Sequence, residues 1–224
     1  MKSNFVNSKT TLFFIFILFT LFMVYKVYGQ DNLIAELNSK IEKAPETREK
    51  VNMLNELSQE LRSSDIEKAK QYAEEALDLS KKLKYNKGSA LSFINIAYIH
   101  TRKDNFNRAM ENYSDAMKYV EKVNDLKEKK LIMTRVFEGL GLINYKSGYL
   151  DQAIDSYEKA AKLYLELSYS NNLSKCYHII GFIYQKAGNK AKANLYFNRE
   201  AKKTKKTNED EQNILSTYDE FINN

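Results

Sequence analysis

The twenty residues GLINYKSGYLDQAIDSYEKA, Gly141 to Ala160, decide the fold, because their pattern returns forty positions later in GFIYQKAGNKAKANLYFNRE, Gly181 to Glu200. Gly141 falls on Gly181, Gly148 on Gly188, Ala153 on Ala193 and Tyr157 on Phe197. Upstream, Ala97, Asp104, Phe106, Ala109, Tyr113 and Ala116 precede Gly141, Gly148, Leu150, Ala153, Tyr157 and Ala160 by 44 positions each. Forty positions further back, Ala69, Ala73 and Ala76 match Ala109, Tyr113 and Ala116. A period near forty kept over four units marks a repeat architecture.

The pattern is that of a helical hairpin. A small residue at Ala97, Gly141 or Gly181 lets a first helix (A) approach its partner (B). An alanine at 69, 109, 153 and 193 does the same from helix B. The aromatic four residues on (Tyr113, Tyr157, Phe197) lies on the same helix face, one turn along, and fills the gap between hairpins. Gly148 and Gly188 stand where helix A ends, as left-handed C-terminal caps. One hairpin cannot bury its apolar face alone, so several stack into a superhelix.

Composition agrees. The 224 residues are 43% hydrophobic, with seven Gly, one Pro and one Cys. Few turn residues argue against an all-β sandwich, and a lone Cys176 excludes an internal disulfide framework. The pattern predicts an all-α chain with a lead helix over 31–43 and hairpins over 46–62/65–83, 87–103/105–123, 126–147/149–168 and 170–187/190–204. Pro45-Glu46 starts the first helix A and Ser64-Asp65 caps the first helix B. Residues 209–222 (EDEQNILSTYDEFI) place Ile214, Leu215, Tyr218, Phe221 and Ile222 on one face, as a capping helix.

Residues 1–29 read differently. A leader with Lys2 and Lys9 precedes the apolar run Leu12 to Tyr25, about 21 Å long as a helix. That is short for a bilayer and suits a signal peptide, with Val27-Tyr28-Gly29 before the cut and Gln30 as the new N-terminus. An uncleaved anchor, followed by Lys26, is the alternative. Export to the periplasm or beyond is the expectation, with membrane contact only if the segment stays attached. Losing Lys2, Lys9 and Lys26 takes the formal net charge from +6 to +3. The basic run Lys202 to Lys206 is answered by Glu209, Asp210 and Glu211. Neither is a nucleic-acid footprint.

Gly141 to Ala160 resembles the tetratricopeptide repeat (TPR) family at its small, Gly, Ala and aromatic positions, Asn144 standing where a Tyr is usual. The resemblance spans about 46–203. It departs in its period of 40–44 rather than 34 and in lacking the closing prolines. It implies a superhelix whose A helices line a concave protein-binding groove. The first hairpin, Leu54 to Leu77, is similar to exported TPR regions of Bacteroidetes sensor histidine kinases and regulators. The chain therefore reads as an exported, non-enzymatic scaffold that binds a protein or peptide. The alternative is a sensory or regulatory module of a two-component or transcriptional signalling system lacking its output domain.

On the family frame the groove positions are Leu54, Ser58, Leu61, Ile94, Tyr98, Thr101, Glu138, Leu142, Tyr145, His178, Phe182 and Gln185. The next position is basic in each hairpin: Arg62, Arg102, Lys146 and Lys186. Arg135 and Lys175 flank the other end. The expected interaction site is thus Ile94, Tyr98, Leu142, Tyr145 and Phe182 bordered by Arg102, Arg135, Lys146, Lys175 and Lys186. It would suit apolar anchors beside acidic residues. The sequence contains no phosphate loop, HExxH or CxxC. Gly139-Leu140-Gly141 lacks the third glycine of a dinucleotide turn. His100 reads as a packed histidine and Cys176 as a small buried residue. No catalytic residue, cofactor or metal is expected.

Overall fold

The computed structural model describes residues 32–203, with side chains through 199. It divides after Pro45 into two units. The first holds helix α1 (32–43). The second runs α2 (Arg48–Leu61), α3 (Ile66–Lys82), α4 (Asn86–Arg102), α5 (Phe106–Val120), α6 (Leu126–Lys146), α7 (Leu150–Glu166), α8 (Ser170–Lys186) and α9 (Lys190–Lys203). Among the described residues the regular structure is helical throughout. The leader 1–29 and the expected cap 209–222 lie outside the described residues.

Helices pair as hairpins, α2 with α3, α4 with α5, α6 with α7 and α8 with α9, and each hairpin stacks on the next. The A helices form a continuous layer where α2 touches α4 and α4 touches α6. Helix α2 begins at Arg48, two residues later than Pro45-Glu46 suggested, because Thr47 Oγ1 accepts from the Lys50 amide at 3.4 Å. Asp65 caps α3 as read, accepting from Lys68 N at 3.1 Å. The change of period from 40 to 44 appears as one added N-terminal turn on α6, which has 21 residues against 17 in α4 and α8.

The repeat residues meet as close contacts. Ala69, Ala109, Ala153 and Ala193 are all buried. An ideal Cβ on Gly141 would stand 2.6 Å from the Tyr157 ring, and one on Gly181 would stand 2.6 Å from the Phe197 ring. These aromatics therefore lie against the small residue of their own hairpin. Tyr113 reaches further and does cross between hairpins. Its ring passes into α6, where a Cβ on Gly139 would overlap Oη and Cζ.

Five helices close in the same way. Lys84, Asp104, Gly148, Ser168 and Gly188 have φ of 50°, 53°, 81°, 62° and 77°. Each following amide (Tyr85, Asn105, Tyr149, Tyr169, Asn189) returns to a carbonyl five residues back, at 2.8–2.9 Å. This Schellman geometry satisfies carbonyls the helix leaves open. Only two of the five positions are glycine, and L-residues pay a steric cost there. Ser168→Gly should therefore raise stability by about 0.5–1 kcal/mol, and Gly148→Ala should lower it by about 1 kcal/mol. Paired urea titrations at constant m-value check both.

Candidate interaction groove

A cavity of about 540 Å³ opens on the A-helix layer. Helix α2 contributes Gln59 and its C-cap Arg62, α4 Ile94 and Tyr98, α6 Leu131, Arg135, Glu138 and Leu142, and α8 Asn172, Lys175 and Ile179. Tyr113, Tyr157 and Tyr164 come up from the B helices behind. Residues spread over 120 positions meet here because the repeat brings every A helix to one side.

Its polar groups are held from beneath. Asn95, 3% exposed, donates to the Asn55 carbonyl oxygen at 3.0 Å and to Asn55 Oδ1 at 3.1 Å. Asn95 Oδ1 then accepts from Arg135 Nη2 at 3.4 Å, and Gln59 Oε1 accepts from the same nitrogen at 2.9 Å. One polar chain thus crosses three A helices and ends on a half-buried guanidinium. Burial, then the neighbouring Arg62, holds Arg135 below its ordinary pKa. The Arg62 guanidinium lies 4.2 Å from the Tyr98 ring centroid, a cation–π contact. Tyr164 Oη donates to Glu138 Oε1 at 3.1 Å.

Burial pushes the Glu138 carboxyl up to about 6, against the opposing pull of the Tyr164 hydroxyl, Arg135, Lys175 and Arg62. With a raised carboxyl pKa, the folded chain holds a proton that the unfolded chain has released. This group's stabilising contribution is present at low pH and is lost as pH rises through about 6. His100 works in the opposite direction. Burial, followed by Arg108, Lys70 and Lys103, lowers its pKa, so its contribution is present above the ordinary histidine value and lost as pH falls. Glu138→Gln isolates the first effect, because His100 is common to both proteins. The variant should match the parent near pH 4 and exceed its stability at pH 7.5 by on the order of 1–2 kcal/mol. Thermal melts of both proteins across that range test it.

The expected site residues divide into two sets. Tyr98, Arg135, Leu142 and Lys175 line the cavity. Ile94 lines it too, but at 4% exposure it belongs to the core and forms the floor. Leu54, Ser58, Leu61 and Thr101 are likewise buried, against their assignment to the groove surface. The stripe turns inward there because those A-helix turns lie where neighbouring helices touch. Tyr145, Phe182, Lys146 and Lys186 are outside the cavity. Tyr145 and Phe182 rings meet at 6.2 Å and pack on the core of the last two hairpins. Lys186 Nζ donates to Tyr145 Oη at 2.8 Å and lies 4.6 Å from its ring centroid. Lys146 bridges to Asp104 at 3.4 Å. Arg102 is half-buried at the end of α4, outside the cavity. On the repeat frame Glu138 is a groove position without a role, and Gln59, Asn95 and Tyr164 have none. Their pairings cross between helices and leave no local signal.

Cys176 is buried, its thiol pushed up by burial and by Glu138. His178 packs on Phe197, ring centroids 5.5 Å apart. Among the described residues no three His, Cys, Asp or Glu side chains gather to hold a metal ion, and no helix is long and apolar enough to cross a membrane.

Residues 134–166, which span most of α6 and α7, match the tetratricopeptide repeat family model. No curated protein matches the chain. Among solved structures it is similar to BtubC (BKLC) from P. vanneervenii, with TM-score 0.63 and 20% identity over 80% of this chain and 74% of that one. It is also similar to a Rap protein complexed with Competence and Sporulation Factor, with TM-score 0.66 and 19% identity. That match covers 79% of this chain and half of the Rap chain. A Podosopora anserina protein with nearly identical TPR-like repeats aligns with TM-score 0.53 and 13% identity, over 81% of this chain and 91% of that one. At these identities the likeness is one of fold. The chain is a TPR-like helical repeat protein whose third hairpin carries the tetratricopeptide signature itself.

Proposed function

We propose that the chain is an exported, non-enzymatic scaffold that binds a protein or peptide in its A-helix groove. The observation that carries this reading is the cavity itself. It is lined by aliphatic and tyrosine side chains together with Arg62, Arg135 and Lys175. Among the described residues none of these three cations has a carboxylate within 4.0 Å, whereas Lys87, Lys103 and Lys130 outside it bridge to Glu128, Glu67 and Glu166 at 2.5, 2.5 and 2.8 Å. Apolar walls beside an excess of positive charge are what a partner with apolar anchors and acidic residues requires. The Rap protein was solved in complex with Competence and Sporulation Factor, which supports a binding role for this fold.

Export rests on the 1–29 segment. Intact mass of the native envelope protein should correspond to a chain beginning at Gln30. A full-length species retained through a carbonate wash would replace secretion by anchoring. For binding, the tagged chain is cross-linked in cells and the captured partner identified by mass spectrometry. Capture must be lost with a groove substitution and kept with Lys192→Gln on the exposed face of α9. Capture equal in both would place the partner elsewhere.

A further inference from the structure

We propose that the cavity reads an acidic side chain of the partner, Arg135 taking its carboxylate and the adjoining apolar residue of the partner lying against Tyr98 and Leu142. This rests on the groove-binding reading and narrows it to one chemistry.

Arg135 is built as a receptor. Its hydrogen bonds to Gln59 and Asn95 both leave from Nη2, so the planar fork is oriented by two anchors without being neutralised. Asn95 is itself fixed by Asn55 on the next helix. An arginine so oriented loses little rotamer freedom on binding, and its fork matches a carboxylate with two parallel hydrogen bonds. Arg62, held by Tyr98, and Lys175 stand in the same cavity and add positive potential.

Among the described residues Glu138 is the one acidic side chain lining the cavity. The geometry turns it to Tyr164 of α7, whose hydroxyl donates to it. It feels the charges of Arg135 on its own helix, Lys175 of α8 and Arg62 at the C-cap of α2, and its hydrogen bond goes to the tyrosine. Tyr98 of α4 and Tyr113 of α5 complete the polar surroundings, and buried Cys176 of α8 lies near enough to feel its charge. An ionised Glu138 repels an incoming carboxylate, and a protonated one does not. Because its carboxyl titrates near 6, capture of an acidic partner should strengthen as pH falls from 7.5 toward 5.5.

The probe is a random heptapeptide display library selected on the full chain. Enriched peptides are synthesised with a fluorophore and measured by anisotropy at pH 5.5 and 7.5. The proposal expects Asp or Glu next to an aliphatic or aromatic residue. Changing that acid to its amide in the peptide should weaken binding by about tenfold or more. This comparison needs no variant protein. Arg135→Gln should erase the acid-over-amide preference, and Arg135→Lys should restore part of it. Glu138→Gln should bind at pH 7.5 as the parent does at 5.5. Groove peptides without acid preference, recognised by their loss with Tyr98→Ala, would overturn this proposal and leave the groove reading standing. Enrichment of no peptide, or of peptides indifferent to Tyr98→Ala, would overturn both. Acid preference that survives Arg135→Gln would move the carboxylate to another cation and refute the assignment.

Discussion

Tyr113→Ala is expected to destabilise the repeat domain by about 3–5 kcal/mol, the range for truncating a large buried aromatic. The side chain is 2% exposed and lies in the core shared by α4, α5 and α6. Burial also raises its hydroxyl pKa, so the phenol stays neutral there. What makes the site diagnostic is its partner. Gly139 sits inside α6, where glycine costs about 1 kcal/mol relative to alanine. Its tolerance is explained by the Tyr113 ring, which occupies the space of a Cβ. In the parent, Gly139→Ala should therefore overpack the contact and cost about 1–3 kcal/mol. In the Tyr113→Ala background the same substitution should reverse sign and stabilise, because the ring is gone and the helix propensity remains. A double-mutant cycle by chemical denaturation measures this coupling directly. Additive effects would mean that α5 and α6 do not meet as described.

This pair also shows where sequence reading stops. Gly141 with Tyr157 and Gly181 with Phe197 repeat at fixed spacing, so the close approach at the glycines is legible in the sequence. Their rings pack within their own hairpin, and not in the gap between hairpins as the sequence suggests. Gly139 lies only two residues from Gly141 and has no counterpart in the other hairpins, so it looked like a broken nucleotide motif. Helix ends divide likewise. Gly148 and Gly188 announce a left-handed cap, whereas Lys84, Asp104 and Ser168 adopt the same conformation with no residue-type signal. There the return hydrogen bonds and the stacking of the next helix override local preference. In the groove, the basic character and Tyr98, Leu142, Arg135 and Lys175 followed from the repeat frame. The frame could not say that Ile94 is floor, that Lys186 is engaged with Tyr145, or that Arg135 is tied to Gln59 76 residues away. Periodicity gives the face of a helix. The partner on that face depends on how far each helix extends and on what crosses from its neighbour.

The second large effect concerns binding. Tyr98→Ala should weaken the groove's partner by at least about 2 kcal/mol, the scale for removing an aromatic anchor from an interface centre. The substitution removes one wall of the cavity and also the ring on which Arg62 rests. A freed Arg62 regains rotamer entropy that binding must then remove, so part of the loss appears as a slower association. Stability should change little by comparison. Tyr98 is half-buried, and an exposed cation–π contact is worth about 0.5–1 kcal/mol, so the melting point should fall by only a few degrees. Phe182→Ala should show the opposite balance. Its ring packs against Tyr145 and the last core cluster, outside the cavity, so its loss should lower the melting point more than it weakens the partner. Isothermal titration and thermal melts on the two variants separate these cases. If Phe182→Ala stays folded and abolishes binding while Tyr98→Ala binds as the parent does, the recognition surface lies nearer α8, and the cavity between α4 and α6 is not the site. If both melt far below the parent, both rings are core, and the partner must be sought on another face of the repeat.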